Sequence, residues 1–102
     1  MLENATLREI LPSLDLRITR GNALVERIGD EVAIVDLATH RVATLNAFAA
    51  MVWDCLVEPN TVGHCVETIQ RSVGPHVPVD QIALDTRCFV ASMLARGLLV
   101  PA

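Results

Sequence analysis

The sequence predicts an α+β fold in which a three-stranded antiparallel meander is followed by three helices. β-branched apolar runs separated by turn residues occupy the first half of the chain, and apolar residues at helical spacing occupy the second half. The chain has 102 residues, of which 52% are hydrophobic and 20% charged, so it suits one domain with a modest core.

The predicted strands are three short apolar segments joined by tight turns. Ala23–Ile28 and Glu31–Asp36 are rich in β-branched residues, and the dipeptide Gly29-Asp30 between them is typical of a hairpin turn. A second turn around residues 38–40 leads into the third strand, residues 41–45. The order of these segments predicts an antiparallel meander.

The predicted helices begin at capping residues and end at proline or glycine. Asn46 suits an N-cap, and the apolar residues after it recur at helical spacing until Pro59 ends the first helix. Thr61 can cap a second helix, which the dipeptide Gly74-Pro75 ends, and Asp80 can cap a third.

The third predicted helix is apolar around most of its circumference. It is expected to run from Asp80 to Arg96, with Gly97 at the C-terminal cap position and residues 98–100 as a short extended tail. Beside an ordinary core face that contains Phe89, a strip of small and apolar residues lies about 100–160° further round the helix. The strip contains Leu84, Cys88, Ala91 and Ala95.

Two interpretations of this strip are open. It can pack on the sheet or on the N-terminal arm, or its small side chains can form one wall of a groove beside an edge strand. An edge strand has unpaired N–H and C=O groups, so a guest strand can dock in such a groove. Both outer strands of a meander are edges, and residues 41–45 are the expected docking edge because they lead directly into the helices.

Residues 1–20 are predicted to form an N-terminal arm, and residues 21–102 the domain itself. Leu7, Ile10 and Leu11 are spaced for a turn or two of helix before Pro12 ends it. Such an arm can pack on the domain, mediate self-association or fray.

Composition argues against several classes of partner. The net charge is −4, with eight arginines and no lysine, whereas a nucleic-acid binder of this size usually has a basic stripe. No apolar run approaches the length of a membrane span, and the N-terminus does not resemble a signal peptide. Three widely spaced cysteines suggest buried thiols in the cytoplasm.

No catalytic, metal or cofactor site is expected. The cysteines and histidines lack the paired spacing of zinc ligands, and Cys65 falls on the core stripe of its helix. Asp36 is expected to fix the turn after its strand, and Asp85 to accept backbone or arginine hydrogen bonds. The glycines are isolated, so a phosphate-binding loop is not predicted.

Two stretches of the chain resemble a family signature. The first has an apolar strand ending at Asp36, a turn, a strand ending at Leu45-Asn46 and an alanine-rich helix with Trp53. The second contains Asp85, Phe89, Met93, Leu94 and Gly97-Leu98-Leu99. In their order and spacing, over residues 24–100, these pieces resemble the PqqD family, which is named for a pyrroloquinoline quinone biosynthesis protein.

The resemblance implies a winged-helix-like recognition element for ribosomally made, modified peptides. In the family, the leader of a precursor peptide adds as a strand to the third strand, in a groove beside the third helix. The expected partners are therefore a precursor leader peptide and a modifying enzyme, which is a leader protease, a cyclase or a radical enzyme. The expected peptide-binding residues are Arg41, Val42, Ala43, Thr44, Leu45, Leu84, Arg87, Cys88, Ala91 and Ala95.

Within the family, the chain is similar to stand-alone recognition proteins of lasso-peptide clusters. It departs from relatives at Thr86, Arg87 and Cys88, where larger aliphatic residues are common, so a leader motif is not carried over. Arg41 and Arg87 are either solvated or positioned to meet acidic leader residues. The alternatives are a winged-helix DNA-binding regulator, or a structural module that forms a homodimer through the same edge.

Overall fold

The structure is a computed structural model that describes residues 11–29 and 31–102. Its elements are β1 (Arg17–Arg20), β2 (Ala23–Ile28), β3 (Glu31–Asp36), β4 (Val42–Leu45), α1 (Ala47–Cys55), β5 (Asn60–Thr61), α2 (Val62–Val73), α3 (Val79–Ala95) and β6 (Leu99–Pro101). The predicted α+β class is confirmed, but the strands form two sheets rather than one.

The predicted meander is present as the sheet β2-β3-β4. β2 and β3 have the predicted bounds, and Leu24 lies opposite Val35 in their antiparallel register. β4 begins at Val42, one residue later than predicted, because Arg41 closes the preceding turn. In that turn His40 has a φ of 60°, and the Asp36 amide donates to the Arg41 carbonyl at 2.8 Å.

A second sheet, with the order β5-β1-β6, was not predicted. β1 is its middle strand, and it pairs with β5 on one side and β6 on the other. The β1 residue Ile18 is completely buried. This strand falls within the stretch that the sequence assigns to the N-terminal arm, whose predicted helical turn lies largely outside the described residues.

Two of the three predicted helix caps are confirmed. The Asn46 side chain accepts a hydrogen bond from the Ala49 amide at 2.8 Å, and the Thr61 hydroxyl accepts one from the His64 amide at 3.1 Å. The predicted cap at Asp80 is wrong, because Pro78 is the N-cap of α3. Pro78 has an extended ψ of 137°, and its carbonyl accepts hydrogen bonds from the Gln81 and Ile82 amides at 3.1 and 3.2 Å, while no side chain caps α3.

The core lies between the helices and the inner faces of the sheets. Trp53, Leu56, Ile69 and Met93 are among its largest buried side chains. Arg20 of β1 joins the second sheet to α1: its guanidinium donates to the Trp53 carbonyl at 2.8 Å and lies 4.8 Å from the centroid of the Trp53 ring. No helix in the described part of the chain is long and apolar enough to cross a membrane.

Thr86 is the buried polar residue of α3, and its hydroxyl oxygen has no hydrogen-bond partner within the described residues. Thr86→Val is expected to raise the free energy of unfolding by about 1 kcal/mol, because it removes an unsatisfied buried hydroxyl and keeps the shape of the side chain. Urea denaturation measures the difference. Thr68→Val is the matched control, since the Thr68 hydroxyl is bonded to the His64 carbonyl at 3.0 Å and this change should not stabilise the protein.

Candidate functional site

The last strand of the meander, β4, has one free edge. It pairs with β3, and no other described strand pairs with it. The bond from the Asp36 amide to the Arg41 carbonyl identifies that pair as hydrogen-bonded. Because bonded and non-bonded pairs alternate along an antiparallel ladder, Ala43 points its N–H and C=O at β3, whereas Val42 and Thr44 point theirs outward.

The side chains of β4 alternate as well. Leu45 is buried and Ala43 is half-buried against the core, whereas Thr44 is exposed and Val42 is 63% exposed. The free edge therefore has outward amide and carbonyl groups at the two residues whose own side chains do not support the core.

Two adjoining cavities separate β4 from α3, and we call them together the β4–α3 groove. Both are lined by Val42, Ala43 and Arg96. The turn end, of about 540 Å³, is also lined by Asp36, Thr39, Arg41, Ala95 and Leu98. The helix end, of about 380 Å³, is also lined by Thr44, Leu45, Asn46, Ala49, Phe89, Ser92 and Met93.

The groove includes some of the residues predicted from the sequence. All five residues from 41 to 45 and Ala95 line it. Leu84 and Arg87 line a separate depression beside Asp80, while Cys88 is exposed and Ala91 is half-buried outside the groove lining. The strip predicted as a groove wall therefore lies next to the groove, and only its last residue reaches it.

Apart from Ala95, the helical wall of the groove consists of residues that were not predicted from the sequence to bind the peptide. Phe89, Ser92, Met93 and Arg96 line it. Ser92 and Arg96 lie within about 60° of Phe89 on a helical wheel, on the edge of the core face. The sequence contained one signal for this wall. Ser92 and Arg96 are polar residues beside the apolar core face, and polar residues in that position indicate that this side of α3 is exposed to solvent.

Arg87 connects α3 with the N-terminal segment. Its guanidinium donates to the Pro12 carbonyl at 2.8 Å, and to the Leu11 carbonyl at 3.5 Å. Residues 11–12 therefore lie beside Arg87, which is about 160° from the groove residue Phe89 on a helical wheel. Residues 1–10 lie outside the described residues, so packing of the N-terminal arm on the predicted strip stays a prediction.

The two aspartates with predicted structural roles are both hydrogen-bonded. Asp36 fixes its turn as predicted: its carboxylate accepts from the Ala38 amide at 2.9 Å, and this bond lowers the pKa of Asp36, with a smaller contribution from Arg41. Asp85 accepts from the Gln81 side chain at 2.8 Å, so the prediction of a backbone or arginine donor is wrong. Asp36 is thus ionised at neutral pH.

The cysteines are free thiols, and two of them are held in their protonated form. Burial raises the pKa of Cys65 to about 12, and burial also raises that of the half-buried Cys55. A nucleophilic cysteine needs a lowered pKa, so these two thiols act as packing groups. No group of three potential metal ligands occurs in the part of the chain that the structure describes.

The fold and the groove together define a class of protein: a small α+β domain with an open strand edge beside a long helix. The sequence profile of coenzyme PQQ synthesis protein D (PqqD) matches residues 31–99. The chain belongs to the PqqD family, which confirms the resemblance seen in the sequence.

A solved structure has a similar fold, that of TbiB1 in complex with the TbiA(beta) leader peptide. The TM-score is 0.71 at 23% sequence identity, and the match covers 79% of this chain and 93% of TbiB1. This likeness is evidence for the fold. No curated protein is significantly similar in sequence.

Proposed function

We propose that this protein is a non-catalytic adaptor that binds the leader of a ribosomally made precursor peptide and delivers it to a modifying enzyme. The observation that carries the proposal is the free edge of β4, where Val42 and Thr44 point their backbone groups outward beside the β4–α3 groove. A leader segment added to this edge would extend the sheet by one strand.

Membership of the PqqD family supports this proposal, and so does the fold that the chain shares with a protein solved in complex with a leader peptide. The net charge of −4 supports a peptide rather than DNA as the ligand. The charges of α3 also support a peptide rather than DNA, because the negative charges of Asp80 and Asp85 offset the positive charges of Arg87 and Arg96 on that helix.

Backbone pairing alone is too weak to hold the leader. Val42 and Thr44 can each donate and accept one hydrogen bond, and each bond contributes about 1 kcal/mol net. A total of about 4 kcal/mol corresponds to a dissociation constant near 1 mM. Side chains of the leader must therefore supply the remaining affinity, and the half-buried ring of Phe89 offers an apolar surface for them at the helix end of the groove.

The partner enzyme would receive the core peptide while the leader stays on β4. We propose a leader protease, a cyclase or a radical enzyme in this role, in the cytoplasm and in a pathway of the lasso-peptide type. The free thiols of the three cysteines support a reducing compartment.

An isotope-labelled titration tests the proposal. The unlabelled ligand is the leader of the cognate precursor peptide, and amide shifts are expected in Val42–Leu45 and in residues 89–96. Shifts confined to other surfaces would overturn the proposal. Sedimentation of the protein with and without the leader tests the dimerisation alternative, because a dimer that occupies β4 would dissociate as the leader binds.

A further inference from the structure

We propose that the turn end of the β4–α3 groove is a carboxylate-binding subsite, in which Arg41 and Arg96 receive an acidic side chain of the bound strand. This inference rests on the proposed function and adds the chemistry of the peptide that the groove selects. Arg41 and Arg96 stand on opposite walls, one before β4 and one at the C-terminal cap of α3, and they line the same cavity.

The charges at this end of the groove do not cancel. Asp36 is the acidic residue among the lining residues, and it already accepts the Ala38 amide and interacts with Arg41. Arg96 is exposed and has neither an ion pair nor a side-chain hydrogen bond within the described residues. One positive charge is therefore left for a ligand.

Two other arginines of the chain have structural roles, and their contacts can be compared with those of Arg96. Arg20 and Arg27 both form ion pairs with Asp54, and Arg20 also bonds the Trp53 carbonyl. Arg96 has no such partner among the residues that the structure describes. Since the whole chain carries a net charge of −4, long-range attraction does not explain a preference for acidic peptides, and any such preference must come from local contacts.

The groove also determines which face of the added strand carries the acidic residue. Alternate side chains of an added strand point to the same face, and positions i and i+2 are about 6.6 Å apart. Met93 and Phe89 line the helix end, whereas Arg96 borders both ends. Because both ends belong to one groove, an apolar residue seated at the helix end and an acidic residue beside Arg96 must lie on the same face of the added strand. The preferred peptide therefore has Asp or Glu at an even spacing from its apolar anchor.

The variant Arg96→Gln tests this subsite with the leader described above as the probe. Its affinity for the leader is expected to fall about threefold to tenfold at low salt, because a partly exposed ion pair is lost. The difference from the natural protein should largely disappear at about 0.5 M salt, where the Debye length is only a few ångströms. Arg71→Gln is the matched control: it removes the same charge from an exposed position on α2, and affinity should hardly change.

A charge exchange makes the test specific. A leader in which the acidic residue on the same strand face as the anchor is replaced by lysine should bind Arg96→Glu more tightly than it binds the natural protein. Equal affinity of Arg96→Gln and the natural protein at low salt would overturn the subsite, while binding at β4 itself would still support the adaptor function. Absence of leader binding to the natural protein would overturn the function and the subsite together.

Discussion

Replacing Thr44 with proline is expected to abolish leader binding, with at least about a hundredfold loss of affinity, while the domain stays folded. Proline removes the N–H that Thr44 points outward, and its ring blocks the approach of a guest strand. A guest carbonyl would then be buried without a donor, which costs about 1–3 kcal/mol in addition to the steric effect. The exposed Thr44 side chain supports none of the core, so stability should change little.

Two controls separate the lost donor from other effects. Thr44→Val keeps the amide and changes only an exposed side chain, so its affinity should remain near that of the natural protein. Val25→Pro places the same ring at the opposite edge of the sheet, where β2 has its own outward groups. Fluorescence anisotropy with a labelled leader measures affinity, and circular dichroism checks folding. A folded Thr44→Pro variant with undiminished affinity would show that the leader does not dock on β4.

The parts of the fold that follow from local chemistry could be predicted from the sequence. β2 and β3 have the predicted bounds, because β-branched runs and a hairpin turn specify them locally. Asn46 and Thr61 cap their helices as predicted, because a side-chain oxygen three residues before a helical amide has a standard geometry. At Asp80 the prediction fails because the helix begins one residue earlier, at Val79, which leaves Asp80 in the first turn of α3.

The second sheet could not be predicted, because its strands are stabilised only by distant residues. β5 has two residues and β6 has three, so neither is long enough to show an alternating pattern. Arg17 pairs with Thr61, and Arg20 pairs with Leu99. Pairings over such separations leave no local signal in a sequence.

The candidate site was predictable on one wall and not on the other. The order of strands and helices indicated that β4 is the docking edge. The backbone groups of a strand alternate in direction, so either Ala43 or Thr44 could be the outward donor, and the hydrogen bond between Asp36 and Arg41 identifies Thr44. A helical wheel gives the angle between residues but not the rotation of the helix against the sheet. The burial of Val90 and Met93 determines that rotation and brings Phe89, rather than Cys88, to the groove.

Removal of residues 1–20 is expected to unfold the domain, because this stretch contains β1. A fragment of residues 21–102 corresponds to the domain that the sequence predicts, but it lacks β1, the only described strand with which β5 and β6 pair. It also lacks Ile18, whose removal from the core costs about 2–5 kcal/mol by itself, and the bonds from Arg20 to the Trp53 carbonyl. Domains of this size are stable by only about 5–15 kcal/mol. The fragment is therefore expected to show no cooperative unfolding transition.

A fragment of residues 11–102 is the matched control for this truncation. It keeps β1 together with the carbonyls of Leu14 and Leu16, which accept from the Gly63 and Val62 amides at 2.8 and 3.0 Å. Thermal unfolding followed by circular dichroism should show a cooperative transition for this fragment. In the full chain, Ile18→Ala should lower the free energy of unfolding by about 2–5 kcal/mol. A cooperative transition in the 21–102 fragment would instead mean that the meander and helices are stable without the second sheet.

Because β6 follows directly from α3, loss of β1 should also loosen the helical wall of the groove and weaken leader binding in any fragment that begins after β1.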